Sequence, residues 1–526
     1  MLETDNKQAY VLALDNGTQS IRALLFDLHG NIVAKSKINI EAYFSKEPGW
    51  AEQEPDYYWQ MLSKACNELW PKLVQLKIDK SQIRAVSLTC QRATMINLDV
   101  NGKPLRPAFV WLDQREQTDL DKMSWYWRLL FTLAGERQTI EYFRSQSEAN
   151  WIKHHQPEIW QKTDKFLLLS GYHSYKLTGN FVDSISSQVG YLPFDFKKHK
   201  WASSFNWRWQ AMPIKRSMLP DLIACGKKLG TISQVAALET GIPVGTPLIS
   251  AGSDKACEVL GSGCLSPQTG SLSYGTTATY NTMNTKYVEA IKRLPAYPAA
   301  MPKTFNTELI IQRGYWMVTW FKREFGLKEQ VLANEKGVVA ESLFDDLLTQ
   351  VPAGSMGLVL QPYWNPGIKS PGPEAKGALI GFGDVHTRAH IYRAIIEGIA
   401  YALREGKELS EKKSNIKISK LMVSGGGSQS DEAMQITADI FGMPVQRPHT
   451  YETSGLGAAI NAAVGVGLYD NYKNAVAKMT HEGETFTPNL DNKKLYDRIY
   501  NEVYKKMYRK LNPLYKAIQS ITGYPQ

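Results

Sequence analysis

The stretch VLALDNGTQSIRALLFDLHGNIV, residues 11–33, sets an Asp-Asn-Gly-Thr turn between two apolar runs. Asn-Gly between such runs is the strongest short-range hairpin signal, because a type I′ turn needs two residues at positive φ. A hairpin of that type is expected at Asn16-Gly17. It leaves unexplained Asp15 at the end of an apolar strand, the hydroxyls of Thr18 and Ser20, and the charge of Arg22. A tight turn whose N–H groups point outward makes an anion nest, which hydroxyls and an Arg can complete into a phosphate site. Asp15 would then hold Mg2+ or its waters, since Mg2+ on nucleotide phosphates takes few protein carboxylates.

Three further segments carry related chemistry. In GSLSYGTTATYNTM (270–283), Gly275 and Thr276 repeat the small-residue turn between β-favouring runs; alone they read as an ordinary Thr-rich turn, but paired with the first they could grip a polyphosphate from two sides. In VSGGGSQSDEAMQITADIFGMPV (423–445), a strand leads through Gly425, Gly426 and Gly427 into a helix carrying Ser430 and Gln435. Glycine lets a flat ring approach the backbone closely, and three in a row exceed what a strand-to-helix turn requires. In LISAGSDKACEVLGSG (248–263), Asp254 follows an apolar strand where a helix begins. It reads equally as an N-cap or as a base that takes a proton from a substrate hydroxyl, and spacing leaves both open.

The rest of the chain bounds these readings. At 526 residues it exceeds a single core, so two large domains are expected. Apolar runs alternating with helical patterns indicate an α/β fold. One Gly-Thr hairpin early in each half suggests a duplicated domain, with units at 1–260 and 261–526, the second ending in a helical extension. The net charge of +10 is spread along the chain, and its densest cluster, KKLYDRIYNEVYKKMYRK (493–510), has the apolar spacing of a helix with a solvated basic face. No nucleic-acid partner is expected. Five dispersed cysteines without a C-x-x-C pair indicate neither disulfides nor zinc. The amino-terminal MLETDNKQAY lacks signal-peptide character, and no apolar run approaches the ~20 residues that span a bilayer, so no membrane partner and a cytoplasmic location are expected. P-loop, protein-kinase, zincin and intact G-x-G-x-x-G motifs are absent. The aromatic stretches 123–143 and 201–212 are expected to pack locally.

Six segments, in order over residues 10–470, resemble the FGGY family of carbohydrate kinases. LALDNGTQSIRALLFDLHGNIV is similar to the family's D-x-G-T-x-S-x-R phosphate motif, and PGWAEQEPDYYW (48–59) to P-G-W-x-E-Q-x-P. AVSLTCQRATMINLDVNGKPLRPAFVWLDQR (85–115) resembles the sugar-site strand with V-W-x-D-x-R. GIPVGTPLISAGSDKACEVLGSG (241–263) resembles the segment whose Asp is the family's catalytic base. GALIGFGDVHTRAHIYRAIIEGIAYALRE (377–405) and ETSGLGAAINAAVGVGLY (452–469) resemble the carboxy-terminal signature and closing helix.

The resemblance implies two ribonuclease H-like (actin-like ATPase) domains closing an interdomain active-site cleft on ATP, Mg2+ and a small sugar or polyol. It assigns Asp15 to the metal; Thr18, Ser20, Arg22, Gly275 and Thr276 to the phosphates; Gly425, Gly426 and Ser430 to the adenosine side; and Gln91, Arg92, Trp111 and Lys255 to the substrate, with Asp254 as base. Glycerol kinases carry Arg-Glu where this chain has Arg92-Ala93, and Gln where it has Lys255, which disfavours glycerol. Xylulokinases typically show Met-His in place of Gln91-Arg92. A ketopentose, a deoxy-ketose or a related polyol is the expected substrate, and a homodimer is a candidate assembly. The competing reading is a non-catalytic actin-like nucleotide-binding sensor or scaffold, which would need the hairpins but neither base nor sugar site.

Overall fold

The computed structural model describes residues 9–291, 294–364, 371, 372 and 374–524; residues 1–8, on which most of the amino-terminal reading rests, lie outside that set. The opening stretch forms β1 (Tyr10–Asn16) and β2 (Ser20–Phe26), an antiparallel pair in which Asp15 faces Arg22. β3 (Ile32–Asn39) continues the antiparallel order, and helix α1 (Pro55–Gln75) then crosses the sheet. Proline at its start fits a position whose N–H has no helical partner. Tyr58, Leu62, Ala65, Leu69 and Leu73 recur at three- and four-residue spacing to bury one face. β4 (Ile83–Cys90) pairs parallel with β1, while β5 (Lys228–Thr231) and β6 (Pro247–Ser250) complete the order β3-β2-β1-β4-β6-β5. Both faces of the sheet are covered, and β1 is buried at every residue, which is why it reads as a continuous apolar run.

After helix α2 (Asp254–Gly261) a second sheet repeats this plan. β7 (Thr269–Tyr274), β8 (Ala278–Asn284) and β9 (Phe305–Ile311) are antiparallel neighbours. Helix α3 (Arg388–Ser414) leads to β10 (Lys420–Ser424), which lies parallel to β7. Helix α4 (Asp431–Phe441) precedes β11 (Val445–Pro448), helix α5 (Thr453–Gly465) follows it, and β12 (Glu482–Phe486) forms the edge. The order β9-β8-β7-β10-β11-β12 has the same succession of antiparallel and parallel pairings as the first sheet, with Tyr297–Pro298 added beyond β9. The fold is the α/β duplication that the two hairpins suggested.

Two helices, one from each half, pack between the sheets. α5, from the second half, buries Leu456, Ala459 and Ile460 against Val11, Ala13, Leu24 and Phe26 of the first sheet. α2, from the first half, sets Val259 against Met283 and Met422 of the second. The two helices also meet each other backbone to backbone. A Cβ on Gly261 would lie 2.0 Å from the Thr453 carbonyl oxygen, and one on Gly457 2.0 Å from that of Cys257.

Residues 490–522 are helical, and Tyr496, Tyr500, Tyr504 and Met507 form their buried stripe, with Tyr500 stacked on Tyr401 of α3. The basic cluster is thus the outer face of a packed helix. All five cysteines are buried and unpaired, and among the described residues no helix is long and apolar enough to cross a membrane. The aromatic stretches pack locally only in part. Trp127 stacks on Phe131, and Phe131 and Phe143 meet Trp207, but Trp125, Leu129, Leu130 and Leu133 are each more than half exposed. The helix Trp125–Leu133 carries apolar residues all round, so one contact face cannot cover them. Replacing Gly457 with Ala is expected to cost about 1–3 kcal/mol by overpacking the helix crossing; chemical denaturation of the full chain measures it.

Candidate active site

β1 and β2 are joined by Gly17-Thr18-Gln19, with the Gly17 N–H donating to the Ser20 carbonyl at 3.1 Å. The hairpin forms, but it is not type I′, since neither Asn16 nor Gly17 has a positive φ. Asn16 is still strand, paired with Ile21 on one side and Cys90 on the other, and its Oδ1 is hydrogen-bonded to His173 Nε2 at 2.8 Å. The bend therefore moves one residue on. Among the described residues the N–H groups of Thr18 and Gln19 have no protein acceptor, as an anion nest requires. The Thr18 hydroxyl accepts from the Trp111 indole N–H at 2.9 Å, which joins two residues expected on opposite sides of the reaction.

Asp15 is buried beneath this loop. Arg22 donates to it at 2.8 Å and lies 3.3 Å from Glu452, which also pairs with Lys35. Arg22 is thus turned to two carboxylates, whereas it was expected to stand ready for a phosphate. Ser20 is buried within the strand pair. Burial pushes the Asp15 carboxyl up to about 6; Arg22 opposes this, and Glu452 and Asp254 add to it. Asp254 is the first residue of α2, following Ser253 at the N-cap, and its carboxylate accepts the Lys255 N–H at 2.8 Å. Though partly open at its surface, it is enclosed enough that burial raises its pKa, against the pull of Arg92 and Lys255. Glu452 escaped the sequence reading, although it opens the quoted ETSGLG segment.

On the substrate side, Gln91 is buried and donates to the Tyr58 hydroxyl at 3.1 Å, while its Oε1 has no protein partner. The Arg92 guanidinium forms a two-pronged ion pair with Glu308 of β9, at 2.6 and 2.7 Å. Burial disfavours the Arg92 charge, but Glu308 more than compensates and holds it protonated. The Lys255 ammonium is committed to Glu258 and the Ser273 hydroxyl, both at 2.7 Å, rather than free for substrate. The V-W-x-D-x-R segment divides its labour. Trp111 reaches the phosphate hairpin, whereas Arg115 pairs with Asp113 and Glu52 between the rings of Trp50, Phe109 and Trp151.

The second hairpin turns through Gly275-Thr276-Thr277. Its first two carbonyls accept the N–H groups of Tyr315 and Trp316 at 3.1 and 3.2 Å, while among the described residues the N–H groups of Gly275 and Thr276 have no protein acceptor. The three glycines that follow β10 serve different ends. Gly425, at φ +87°, lies where a Cβ would be 2.9 Å from the Tyr274 backbone, and a Cβ on Gly427 would strike the Tyr315 ring at 2.1 Å. A Cβ on Gly426 would meet nothing within 4 Å, so only this glycine leaves its face open to a ligand. Ser430, expected at the adenosine, caps α4 by accepting the Ala433 N–H at 3.0 Å and donates to Asp345 at 2.5 Å.

Among the described residues no three His, Cys, Asp or Glu side chains gather into a metal cage. A buried carboxylate, Asp15, beneath hairpin N–H groups that have no protein acceptor suits Mg2+, which keeps its waters and takes most of its other ligands from nucleotide.

Models of the FGGY family of carbohydrate kinases match the chain twice, the N-terminal domain at residues 10–261 and the C-terminal domain at 270–466. A xylulose kinase of Lactococcus lactis is 28% identical over 93% of this chain and 95% of its own. A protein described as an uncharacterised sugar kinase of Escherichia coli is 31% identical over 93% and 91%. Among solved structures, xylulose kinase from Rhodospirillum rubrum superposes with a TM-score of 0.77 at 24% identity, covering 96% of this chain and all of that one. Gluconate kinase from Lactobacillus acidophilus gives 0.77 at 20%, covering 99% of each.

The glycine geometry yields a paired expectation. Gly427→Ala lowers the melting temperature by several degrees, whereas Gly426→Ala leaves it within about 2 °C of the parent; differential scanning calorimetry separates them.

Proposed function

Because the chain belongs to the FGGY family of carbohydrate kinases, we propose that it transfers the γ-phosphoryl group of ATP to a hydroxyl of a small ketose, a ketopentose in the first instance, with Asp254 as general base. The observation that carries this reading is the position of Asp254, first in its helix and electrostatically coupled to both Asp15 and Arg92. Asp254 takes the hydroxyl proton as the sugar oxygen bonds to phosphorus and the bond to the ADP oxygen breaks. The open N–H groups of Thr18, Gln19, Gly275 and Thr276 receive the phosphates from the two hairpins, and Gly426 faces the nucleoside. Asp15, aimed by Arg22, would hold Mg2+, which when bound would supply positive charge against the nucleotide phosphates. Phosphoryl transfer needs little more than such positioning and charge neutralisation. Gln91, Arg92 and Trp111 line the sugar side. Arg92 followed by Ala93 argues against glycerol, and xylulose kinases among the relatives favour a ketopentose. A scaffold would have no use for a buried, unpartnered Gln91 Oε1.

Two measurements test this. In a coupled assay for ADP over ketoses, polyols and aldonates, one ketose gives a saturable response, and Asp254→Asn lowers its kcat on the order of 10²–10⁴-fold; turnover near the parent rate overturns the role of Asp254. Because Asp15 titrates at about 6 with its pKa raised, protons hold it more tightly than an ordinary carboxylate. Log kcat/KM for MgATP, which reports the enzyme before metal and nucleotide bind, therefore falls as pH drops below about 6, and a profile flat down to pH 4.5 overturns the assignment.

A further inference from the structure

We infer that His173 is a positioning residue of the first phosphate hairpin: acting through Asn16, it pins the Gly17 carbonyl inward and so turns the Thr18 N–H outward, toward the nucleotide phosphates. This rests on the kinase reading above and deepens it.

The chain of contacts is short and directional. His173 lies on the helix Leu169–Thr178, is fully buried, and hydrogen-bonds the Asn16 side-chain oxygen through Nε2 at 2.8 Å. The Trp59 ring flanks it, with the two ring centroids 6.2 Å apart. Asn16 in turn donates from Nδ2 to the Gly17 carbonyl at 3.0 Å. The Asn16 backbone is paired with Ile21 on one side and Cys90 on the other, and its carbonyl accepts the Gln91 N–H at 2.9 Å. The side chain therefore acts from a fixed base.

Chemistry assigns each atom its role. A carbonyl oxygen only accepts, so the Asn16 edge that faces Gly17 must be the amide nitrogen. The amide oxygen then faces His173, and Nε2 must carry the ring proton. Burial pushes the His173 pKa down to about 3, so the ring is neutral and has a single proton to place. Among the described residues Nδ1 has no protein partner that would draw that proton away.

A trans peptide sets its C=O and N–H on opposite sides of one plane. Holding the Gly17 carbonyl against Asn16 therefore sends the Thr18 N–H the other way, where among the described residues no protein acceptor meets it. The bond from the Gly17 N–H to the Ser20 carbonyl fixes the preceding peptide, not this one. Glycine makes a second lock necessary, because its backbone is the least restrained of any residue. An N–H aimed before the phosphate arrives needs no reorganisation when it does.

The experiment needs no knowledge of the sugar. Calorimetry on the full-length protein measures binding of the Mg2+ complex of adenylyl imidodiphosphate, a non-hydrolysable ATP analogue, and of AMP, which lacks the β- and γ-phosphates. His173→Phe keeps an aromatic ring and loses the donor; it is expected to weaken the analogue about tenfold and AMP less than about twofold. His173→Gln, whose amide N–H can stand in for Nε2–H, stays within about threefold of the parent for both. Asn16→Leu, similar in size and without either hydrogen bond, repeats the His173→Phe result. A merely structural role would weaken both ligands together through the folded fraction, so the ratio of the two affinities reads the lock. Parent affinity for the analogue in His173→Phe and Asn16→Leu, or a loss shared equally by AMP, overturns the inference and leaves the kinase reading standing. A parent that does not bind the triphosphate analogue overturns both.

Discussion

The site depends on two helices crossing where neither can carry a side chain. At Gly261 and Gly457 the backbones of α2 and α5 approach so closely that a Cβ would fall 2.0 Å from a carbonyl oxygen of the partner helix. That contact brings two helix starts together, and each delivers an acidic residue: Asp254 is the first residue of α2, and Glu452 immediately precedes α5. Glu452 reaches Arg22, Arg22 reaches Asp15, and Asp15 feels Asp254. A few ångströms of separation between the helices would pull the network apart, although no member lies at the crossing itself.

Among the described residues, three cations of the candidate site are engaged with protein. Arg22 answers Asp15 and Glu452, Arg92 answers Glu308, and Lys255 answers Glu258. Loose cationic side chains would have to be reorganised when a polyanion arrives, whereas backbone amides fixed in a hairpin are aimed beforehand. In the proposed reaction the labour is divided: backbone meets phosphate, and side-chain ion pairs hold the carboxylates in place. It also accounts for the raised proton affinity of Asp15, which is buried beside other acids with only one guanidinium to offset them.

Much of this was legible in the sequence wherever structure and chemistry are local. The apolar strand carrying Asp15 near its end, the small-residue turns close after it and at 275–277, and Asp254 at a strand-to-helix junction are all short-range patterns. The turn type was misread because Asn-Gly was judged as an isolated hairpin tip, while Asn16 is fixed as strand by neighbours on both sides, Ile21 and Cys90. The triple glycine was over-read in the same way: Gly425 and Gly427 make room for Tyr274 and Tyr315, which no local pattern announces. Glu308 and Glu452 were missed because each acts on a residue hundreds of positions away, and an acidic residue in a strand or before a helix is unremarkable until its partner is known.

The packing of α5 on the first sheet also bears on separability. Two copies of one sheet plan ordinarily describe modules that could be parted at the linker between them. Here the first sheet is roofed by a helix that belongs to the second half, so cleavage between residues 261 and 269 would not release two finished bodies. The fragment ending at Gly261 would lack the cover for Val11, Ala13, Leu24 and Phe26, and its complement would carry Leu456, Ala459 and Ile460 with nothing to bury them against.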